Sequence, residues 1–239
     1  MMTDALHPMC AKCAKVVCSP AIGIDEAPTL DEAPSFCPMR LFPELVDRAV
    51  SEYDKPAVKE FARLASIQEF ECYERTEEGM RTKIPRIEEL TQFASKCGYK
   101  RLGMAFCLGL RKEAQMLTDV LESKGFEVVS VCCKSGATPK QRIGIKPEQH
   151  IVGPETWESL CNPIVQAEVL NSEQVDLAIM LGLCIGHDTL FIKYCRVPMT
   201  VLAVKDRVTG HNPLAALYLS KSPYYGRLLA KRGEAQGAN

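Results

Sequence analysis

The strongest constraint on the fold of this chain is a short apolar run, Leu177–Leu181, which Gly182 ends. The run does not alternate between apolar and polar positions, so it predicts a strand covered on both faces, as in a parallel sheet. Cys184 follows on the turn, and His187 and Asp188 come next, with Asp188 as the predicted N-cap of a helix. In open α/β sheets ligands bind at the carboxyl ends of the strands. The run therefore predicts a ligand-binding turn that carries a thiol, an imidazole and a carboxylate.

The second half of the chain alternates between predicted strands and helices. The predicted strands are 101–107, 126–133, 177–181 and 199–204, and the predicted helices are 111–124, 163–171, the segment after Asp188 and a segment that starts at Asn212-Pro213. Such alternation predicts the α/β class, with a Rossmann-like parallel sheet, helices on both faces and right-handed crossovers.

Residues 41–98 show helical patterns that begin at Pro43, Pro56 and near Pro85 and stop at Gly98. We expect these helices to cover the sheet. The charged stretch 74–83 is predicted to be a solvated helix end or loop. The chain is thus divided into a cysteine-rich metal-binding segment, 1–40, and an α/β domain, 41–239, whose cover is 41–98.

Composition restricts the class of protein. The chain has 239 residues, 12 of them cysteines, and a formal net charge of −1, which does not favour a nucleic-acid-binding surface. No apolar run approaches the roughly 18 residues that cross a bilayer, and the first residues lack the apolar segment of a signal peptide. We therefore expect a cytoplasmic protein without a membrane or nucleic-acid partner. In a reducing cytosol, so many thiols point to metal binding or catalysis, although Cys72, Cys97 and Cys195 are interpreted as small core residues.

The first four cysteines form a candidate metal site. Their spacing is Cys10-x2-Cys13-x4-Cys18-x18-Cys37, within a segment rich in Pro, Gly and small residues. Such a short segment has no core of its own, so we expect a bound metal to order it. Four thiolates suit tetrahedral zinc or an iron–sulfur cluster, and the spacing does not decide between them.

A second set of cysteines lies where the predicted sheet should bring them together. Cys107 ends the first strand, Cys132 and Cys133 end the second, Cys161 precedes a helix and Cys184 follows the third strand. Because all strands of a parallel sheet end at one edge, these thiols should converge. We expect four ligands, or three with an open coordination position, and the segment 134–147 as a lid. The alternative is that they are buried cysteines without a metal. Of the adjacent cysteines Cys132 and Cys133, we favour Cys133 as the ligand because it lies farther along the strand. The predicted ligands are Cys107, Cys133, Cys161 and Cys184.

Polar residues at the same edge are candidates for catalysis. Either His187 or His211 would move protons, since imidazole titrates near neutrality. Arg207 or Lys205 would hold an anionic substrate. The alternative is structural, with an ion pair between residues 206 and 207 that fixes the loop. No GxGxxG or GxxxxGK[ST] motif indicates a nucleotide. The catalytic candidates are His187, Asp188, Arg207 and His211.

Six blocks of the chain are distinctive, namely CAKC, AFCLGLRKEA, VCCK, CNPIVQAEVLN, GLCIGHDTLF and VKDRVTGHNPLAALY. Together they resemble an uncharacterised bacterial and archaeal family of cysteine-rich proteins. Its members are described as metal-binding and carry a numbered domain of unknown function. The resemblance implies a metal, with an iron–sulfur cluster as the first candidate, and organisms that are often anaerobic, but no established reaction.

Two classes of function follow. The first is an iron–sulfur protein, most simply with a 4Fe-4S cluster at the sheet edge, that acts as a redox or desulfurising-type enzyme on a small molecule with an electron donor. With three protein thiolates as ligands, one iron of the cluster would stay open for the substrate, by analogy with the open position of catalytic zinc sites. The second is a non-catalytic binder of zinc, another metal or a small ligand, with zinc at the N-terminal four-cysteine site and a sensing or carrier role. The two differ in colour, since only the cluster absorbs near 400 nm.

Overall fold

A computed structural model describes residues 6–229 of the chain. The chain divides between Phe70 and Glu71 into two compact units. In the first unit, residues 6–37 form turns and one 3-10 turn at Cys10–Lys12. The helices that follow begin at prolines, whose fixed φ suits the first helical position, and they confirm the predicted starts at Pro43 and Pro56. These helices are α1 (Pro38–Leu41), α2 (Pro43–Ser51) and α3 (Pro56–Glu71).

The second unit contains the predicted α/β fold together with a small hairpin. Its elements are, in chain order, β1 (Tyr73–Thr76), β2 (Gly79–Thr82), α4 (Arg86–Lys96), β3 (Arg101–Phe106), α5 (Arg111–Ser123), β4 (Glu127–Cys132), α6 (Pro163–Ser172), β5 (Leu177–Leu181), α7 (His187–Tyr194), β6 (Met199–Ala203) and α8 (Pro213–Tyr218).

The main sheet is parallel and has four strands in the order β4-β3-β5-β6. All five residues of β5 are buried, as its continuous apolar run predicts. At the carboxyl edge, Phe106 of β3 is aligned with Cys132 of β4 on one side and with Leu181 of β5 on the other. The residues that follow these three strands therefore leave the sheet side by side.

Helices cover both faces of this sheet. Leu90 of α4 and Leu117 of α5 belong to one buried cluster, together with alternate residues of β3 and β5. Leu170 of α6 and Phe191 of α7 belong to a second cluster, with the intervening strand residues. The predicted arrangement, a parallel sheet with helices on both faces, is confirmed. Helix α4 provides the expected cover of the sheet, whereas α2 lies in the first unit.

One close approach fixes α6 on the sheet. A Cβ atom placed on Gly103 of β3 would lie 2.8 Å from Val175 Cγ2 and 2.9 Å from Leu170 Cδ2. Only a glycine allows the end of α6 and the start of β5 to pack this closely on β3. Because α6 begins two residues after Cys161, this packing also positions one of the predicted ligands.

The stretch 74–83 is an antiparallel hairpin, so the predicted helix end or loop is wrong. Tyr73 pairs with Thr82, and Glu74 pairs with Arg81, with which it also forms an ion pair. The strands are polar and largely exposed, so they lack the apolar alternation by which a strand is recognised in a sequence.

Helix α7 begins two residues earlier than predicted. The backbone N–H groups of His187 and Asp188 donate to the carbonyl of Cys184 at 2.9 and 3.0 Å, and Gly186, with φ +84°, precedes the helix. Asp188 is therefore in the first turn rather than at the N-cap, and its Oδ1 accepts from the Thr189 N–H at 2.7 Å. Gly186 carries the turn because a positive φ costs glycine little.

Within residues 6–229, no helix is both long and apolar enough to cross a membrane.

Candidate functional site

The backbone ladder continues one step past the strand ends and aligns three of the predicted ligands. The N–H of Cys107 donates to the Leu181 carbonyl at 3.2 Å, and the N–H of Cys133 donates to the Phe106 carbonyl at 2.9 Å. The carbonyl of Cys133 then accepts from the N–H of Asn162 at 2.7 Å. This last bond places the residue after Cys161 directly beside Cys133.

A buried glutamine on α6 holds the strand ends in this position. Gln166 is completely buried, and its Nε2 donates to the carbonyl of Phe106 at 3.1 Å and to that of Val131 at 2.7 Å. Buried polar groups are costly unless they are bonded, so these contacts fix the helix to β3 and β4. Sequence reasoning missed Gln166, although a polar residue on the buried face of an apolar helix is a recognisable signal.

The side chains of Cys107, Cys133 and Cys161, the three-thiol cluster, are joined in a row. Cys133 interacts by hydrogen bonding with Cys107 on one side and with Cys161 on the other, and Cys161 also hydrogen-bonds with the imidazole of His187. Cys133 is only 2 % exposed, whereas the two outer thiols are half-buried. The predicted convergence of these three cysteines is thus present, and His187 lies against Cys161.

The contacts of the cluster divide its thiols into two kinds. Hydrogen bonding with Cys133 is the main cause that lowers the pKa of Cys107 to about 5. It is also the main cause that lowers the pKa of Cys161 to about 4, and hydrogen bonding with His187 lowers it further. The same contacts raise the pKa of the Cys133 thiol. Hydrogen bonding to Cys161 also raises the pKa of His187. The central sulfur therefore retains a proton that the outer thiolates share, and the imidazole favours its protonated form.

Two lysines place positive charge beside the outer thiols. A Cβ atom on Gly109 would lie 3.1 Å from Lys205 Nζ and 3.9 Å from Cys107 Sγ, and the charge of Lys205 helps to lower the pKa of Cys107. Lys134 has the same effect on Cys161, while its Nζ donates to the Ser159 carbonyl at 2.5 Å. An opposite charge nearby favours the anionic thiolate, so both lysines stabilise the deprotonated cluster.

The fourth predicted ligand has a different partner. Arg207 Nη2 lies 2.9 Å from the Sγ of Cys184 and can donate to it. Cys184 therefore sits on the same strand-end edge, on the turn before His187, but its thiol is held by the guanidinium rather than by the three-thiol cluster. The predicted substrate-binding residue Arg207 contacts a cysteine in this structure.

His211 is held within its own loop. Its Nδ1 accepts from the N–H of Asp206 at 3.1 Å, and its own N–H donates to the carbonyl of Asp206 at 2.9 Å. The carboxylate of Asp206 accepts from the N–H groups of Val208 and Thr209, and the bonding to Thr209 is the main cause that lowers its pKa. These contacts agree with the alternative that this loop has a structural role. However, Asp206 fixes the loop through backbone N–H groups, not through the expected ion pair with Arg207.

The loop between β4 and α6 is tied at its middle. Lys140 and Glu158 form an ion pair of 2.8 Å whose side chains are only 15 % and 10 % exposed, and a bridge joins Pro139 to Ser159. Glu158 Oε2 also accepts from the Ile151 N–H at 2.7 Å. The predicted lid 134–147 is therefore part of a longer ordered loop that begins beside Cys133 and returns to Cys161.

The N-terminal cysteines differ in exposure. Cys10 and Cys18 are exposed, Cys13 is half-buried and Cys37 is buried at the start of α1. Across residues 6–229, no three or more His, Cys, Asp or Glu side chains are arranged as they would be around a metal ion. Both predicted metal sites thus remain predictions.

Comparisons with known proteins give a family but no activity. The family model described as "Protein of unknown function (DUF1847)" matches residues 37–202. An uncharacterized protein of Methanocaldococcus jannaschii is 40 % identical over 175 residues, which cover 73 % of this chain and 84 % of that protein. No solved structure matches the chain. The family match includes the three-thiol cluster and Cys184, whereas Cys10, Cys13, Cys18, Arg207 and His211 lie outside it.

Proposed function

The chain belongs to the DUF1847 family of proteins of unknown function, and we propose that it binds a metal through the thiols at the carboxyl edge of its sheet. The observation that carries this proposal is the row formed by Cys107, Cys133, Cys161 and His187, which four separate segments bring together. Thiolate and imidazole groups are the donors that soft and borderline metals prefer. The row therefore offers the donor types of a metal centre, although these side chains do not yet surround a common point.

Binding would change the contacts of the cluster rather than use them as they stand. The sulfurs now bond to one another, so a metal would replace the thiol proton that Cys133 shares with its neighbours and release it to solvent. Cys107 and Cys161, whose thiolates are already stabilised, would bind with little proton release. The Leu108 N–H, 3.3 Å from Cys133 Sγ, would then donate to a metal-bound sulfur.

The first candidate for the metal is an iron–sulfur cluster, held by the three-thiol cluster together with Cys184. Four thiolates suit a 4Fe-4S cluster, and Cys184 would have to leave Arg207 to become the fourth. A cluster of this kind supplies electron transfer, which would make an electron donor the partner of the protein and a small molecule its substrate. Lys205 and Arg207 would then bind an anionic substrate, and His187, beside Cys161, would move a proton of that substrate.

The second candidate is zinc, and the contact between Cys161 and His187 favours it. Three thiolates and one imidazole are a common ligand set of structural zinc. In this arrangement His187 replaces Cys184 as the fourth ligand, and Cys184 stays with Arg207. The protein would then be a metal binder without redox chemistry, with a sensing or carrier role.

Metal analysis of anaerobically purified protein tests the proposal. We expect brown protein with iron, sulfide and broad absorption near 400 nm for the cluster, or colourless protein with zinc for the alternative. Changing Cys133 to Ser should remove the metal of this centre. The matched control is Cys132→Ser, which changes the adjacent thiol on the same strand end and should retain the metal.

Two further variants distinguish the two ligand sets. If the centre is a four-cysteine cluster, Cys184→Ser should lose iron while His187→Ala keeps it. If the centre is zinc with three cysteines and one histidine, the two results should be exchanged. Equal metal content in wild type, Cys133→Ser and Cys132→Ser, with all three folded by circular dichroism, would contradict a metal centre at this edge.

A further inference from the structure

Helix α2, in the first unit, leaves its apolar side uncovered. Eight of its nine residues are exposed, and Val46 is half-buried. Leu45 is 53 % exposed and Val50 is 61 % exposed, although an amphipathic helix normally turns such residues towards a core. A helix this short is marginally stable in water without tertiary packing. The apolar side of α2 therefore needs a partner surface.

The uncovered apolar residues form one stripe along the helix. They recur at positions i, i+3, i+4, i+7, i+8 and i+11, which is the pattern of one helical side, and the stripe extends by one aromatic residue beyond each end of α2. The charged residues Glu44, Asp47 and Arg48 fall between these positions and so lie on the opposite side. The α2 stripe consists of Phe42, Leu45, Val46, Ala49, Val50 and Tyr53.

The α2 stripe has a symmetry that suits a second copy of the same chain. Its successive spacings are the same when they are counted from either end. If two α2 helices pack antiparallel about the centre of the stripe, every apolar residue of one copy therefore lies opposite an apolar residue of the other. A two-fold interface requires such self-complementarity, whereas a different partner does not. The opposed pairs are Phe42 with Tyr53, Leu45 with Val50, and Val46 with Ala49.

The exposed apolar area is close to what one side of a dimer interface needs. The four large side chains, at Phe42, Leu45, Val50 and Tyr53, are 43 to 61 % exposed, which amounts to about 400 Å² if a fully exposed large side chain has roughly 200 Å². A standard interface buries about 800 Å² per partner, of which somewhat more than half is apolar. The stripe thus supplies nearly all the apolar area of one interface, and its charged neighbours supply a polar rim.

We propose that the chain forms a homodimer in which the α2 helices of two copies pack antiparallel through their α2 stripes. The proposal goes beyond metal binding and does not depend on it, because α2 and the three-thiol cluster belong to different compact units. Every variant below should therefore keep the metal content of the wild type.

The test measures the mass of the full chain, as purified, by sedimentation equilibrium from about 1 to about 200 μM. We expect a reversible dimer of twice 26.5 kDa. Leu45→Glu should raise the dissociation constant roughly hundredfold or more, because the dimer would bury two unpaired carboxylates, and Val50→Glu should do the same. The matched control is Ser51→Glu, which adds the same charge on the opposite side of α2 and should dimerise as wild type.

A double variant tests the antiparallel arrangement. In Leu45→Glu, Val50→Lys, each new carboxylate lies opposite a new ammonium group of the other copy if the helices are antiparallel. Its dissociation constant should therefore be roughly tenfold or more below that of Leu45→Glu alone. Parallel helices would place like charges together and give no recovery.

Four results would overturn the proposal. They are a monomer at every concentration, a dimer that both Leu45→Glu and Val50→Glu retain, an equal loss of the dimer in Ser51→Glu, and no recovery in the double variant. Circular dichroism shows that each variant compared is folded. A pure protein that stays monomeric but binds a different protein through the α2 stripe would also overturn the proposal.

Discussion

A single carboxylate joins the starts of the two central strands. Asp176 precedes β5, and its Oδ2 accepts from the N–H groups of Lys100 and Arg101 at 2.7 and 2.8 Å. These backbone bonds, that of Arg101 first, lower the pKa of Asp176 because they stabilise its charged form. At the amino end of the sheet, Asp176 fixes the spacing that the cysteines need at the other end.

We therefore expect Asp176→Asn to lower the free energy of unfolding by about 1 kcal/mol at pH 7, because charge-assisted bonds are replaced by weaker ones. Since the pKa is lowered in the folded state, the stabilisation is present above the unfolded pKa of about 4 and is lost as the pH falls through the folded value. Urea unfolding at pH 7 and at decreasing pH measures this. The difference between wild type and variant should shrink in acid.

The control for this prediction is Asp119→Asn, on the exposed face of α5. It removes the same charge where no strand depends on it, and should change stability by less than about 0.5 kcal/mol. An equal loss in both variants, or a difference for Asp176→Asn that persists unchanged in acid, would contradict the role given to its carboxylate.

At the level of residues, the sequence predicted that three of the thiols meet and that His187 lies near them, but it also placed Cys184 among them, whereas Cys184 contacts Arg207. Cys107, Cys133 and Cys161 could be grouped because strand ends and a helix start lie at one edge of a parallel sheet. The contacts of His187 with Cys161 and of Arg207 with Cys184 join segments about 25 residues apart, and their geometry depends on the path of loops. Loops have no periodicity, so no spacing in the sequence predicts such pairs.

At the level of elements, one glycine controls how β5 passes into the turn that carries Cys184. Gly182 has φ +69°, and a Cβ atom there would lie 1.9 Å from Leu110 Cδ1, well inside contact distance. Its N–H donates to the Ala203 carbonyl of β6 at 2.7 Å. The position thus requires both a left-handed backbone and the absence of a side chain.

Gly182→Ala should therefore lower the free energy of unfolding by roughly 2–4 kcal/mol, the sum of backbone strain and overpacking against Leu110. Gly125→Ala separates the two effects, because Gly125 has φ +87° with no atom within 4 Å of the added Cβ. It should cost only about 1–2 kcal/mol of strain. Chemical unfolding of both variants measures the difference. Equal losses would mean that Leu110 moves aside and that the close approach does not matter.

The predictability of each element followed the strength of its pattern. The strand β5 was recognisable from five consecutive apolar residues, and α6 from the pair Asn162-Pro163, where Asn162 Oδ1 indeed accepts from the Val165 N–H at 3.1 Å. The β1–β2 hairpin was missed because charged pairs such as Glu74 with Arg81, rather than buried side chains, join its strands. The start of α7 was misplaced because a polar residue in the first turn, Asp188, looks like an N-cap.

At the scale of the whole molecule, the two candidate metal sites belong to different compact units. The three-thiol cluster lies in the unit from Glu71 onward, and the four N-terminal cysteines lie in the unit that ends at Phe70. The family match starts at Cys37 and does not include Cys10, Cys13 and Cys18. The two sites can therefore be tested independently.

The N-terminal segment has little internal structure to protect it. Between residues 6 and 37 it contains turns and the single 3-10 turn at Cys10–Lys12, and most of its residues are exposed. A surface ion pair between Lys15 and Glu32, of 3.0 Å, adds little stability. If a metal is bound by Cys10, Cys13, Cys18 and Cys37, its binding free energy supplies most of the order of this segment.

Limited trypsin digestion should show this directly, because Lys12 lies between Cys10 and Cys13, Lys15 lies between Cys13 and Cys18, and the metal would hold the enclosed chain. We expect cleavage at both lysines to be roughly tenfold or more faster after chelation, since proteolysis follows the population of the open form. Cys13→Ser should be cleaved rapidly without chelator, whereas Cys133→Ser, in the other unit, should keep the protection. Equal cleavage rates in untreated, chelated and Cys13→Ser protein would mean that these four thiols are ordinary side chains.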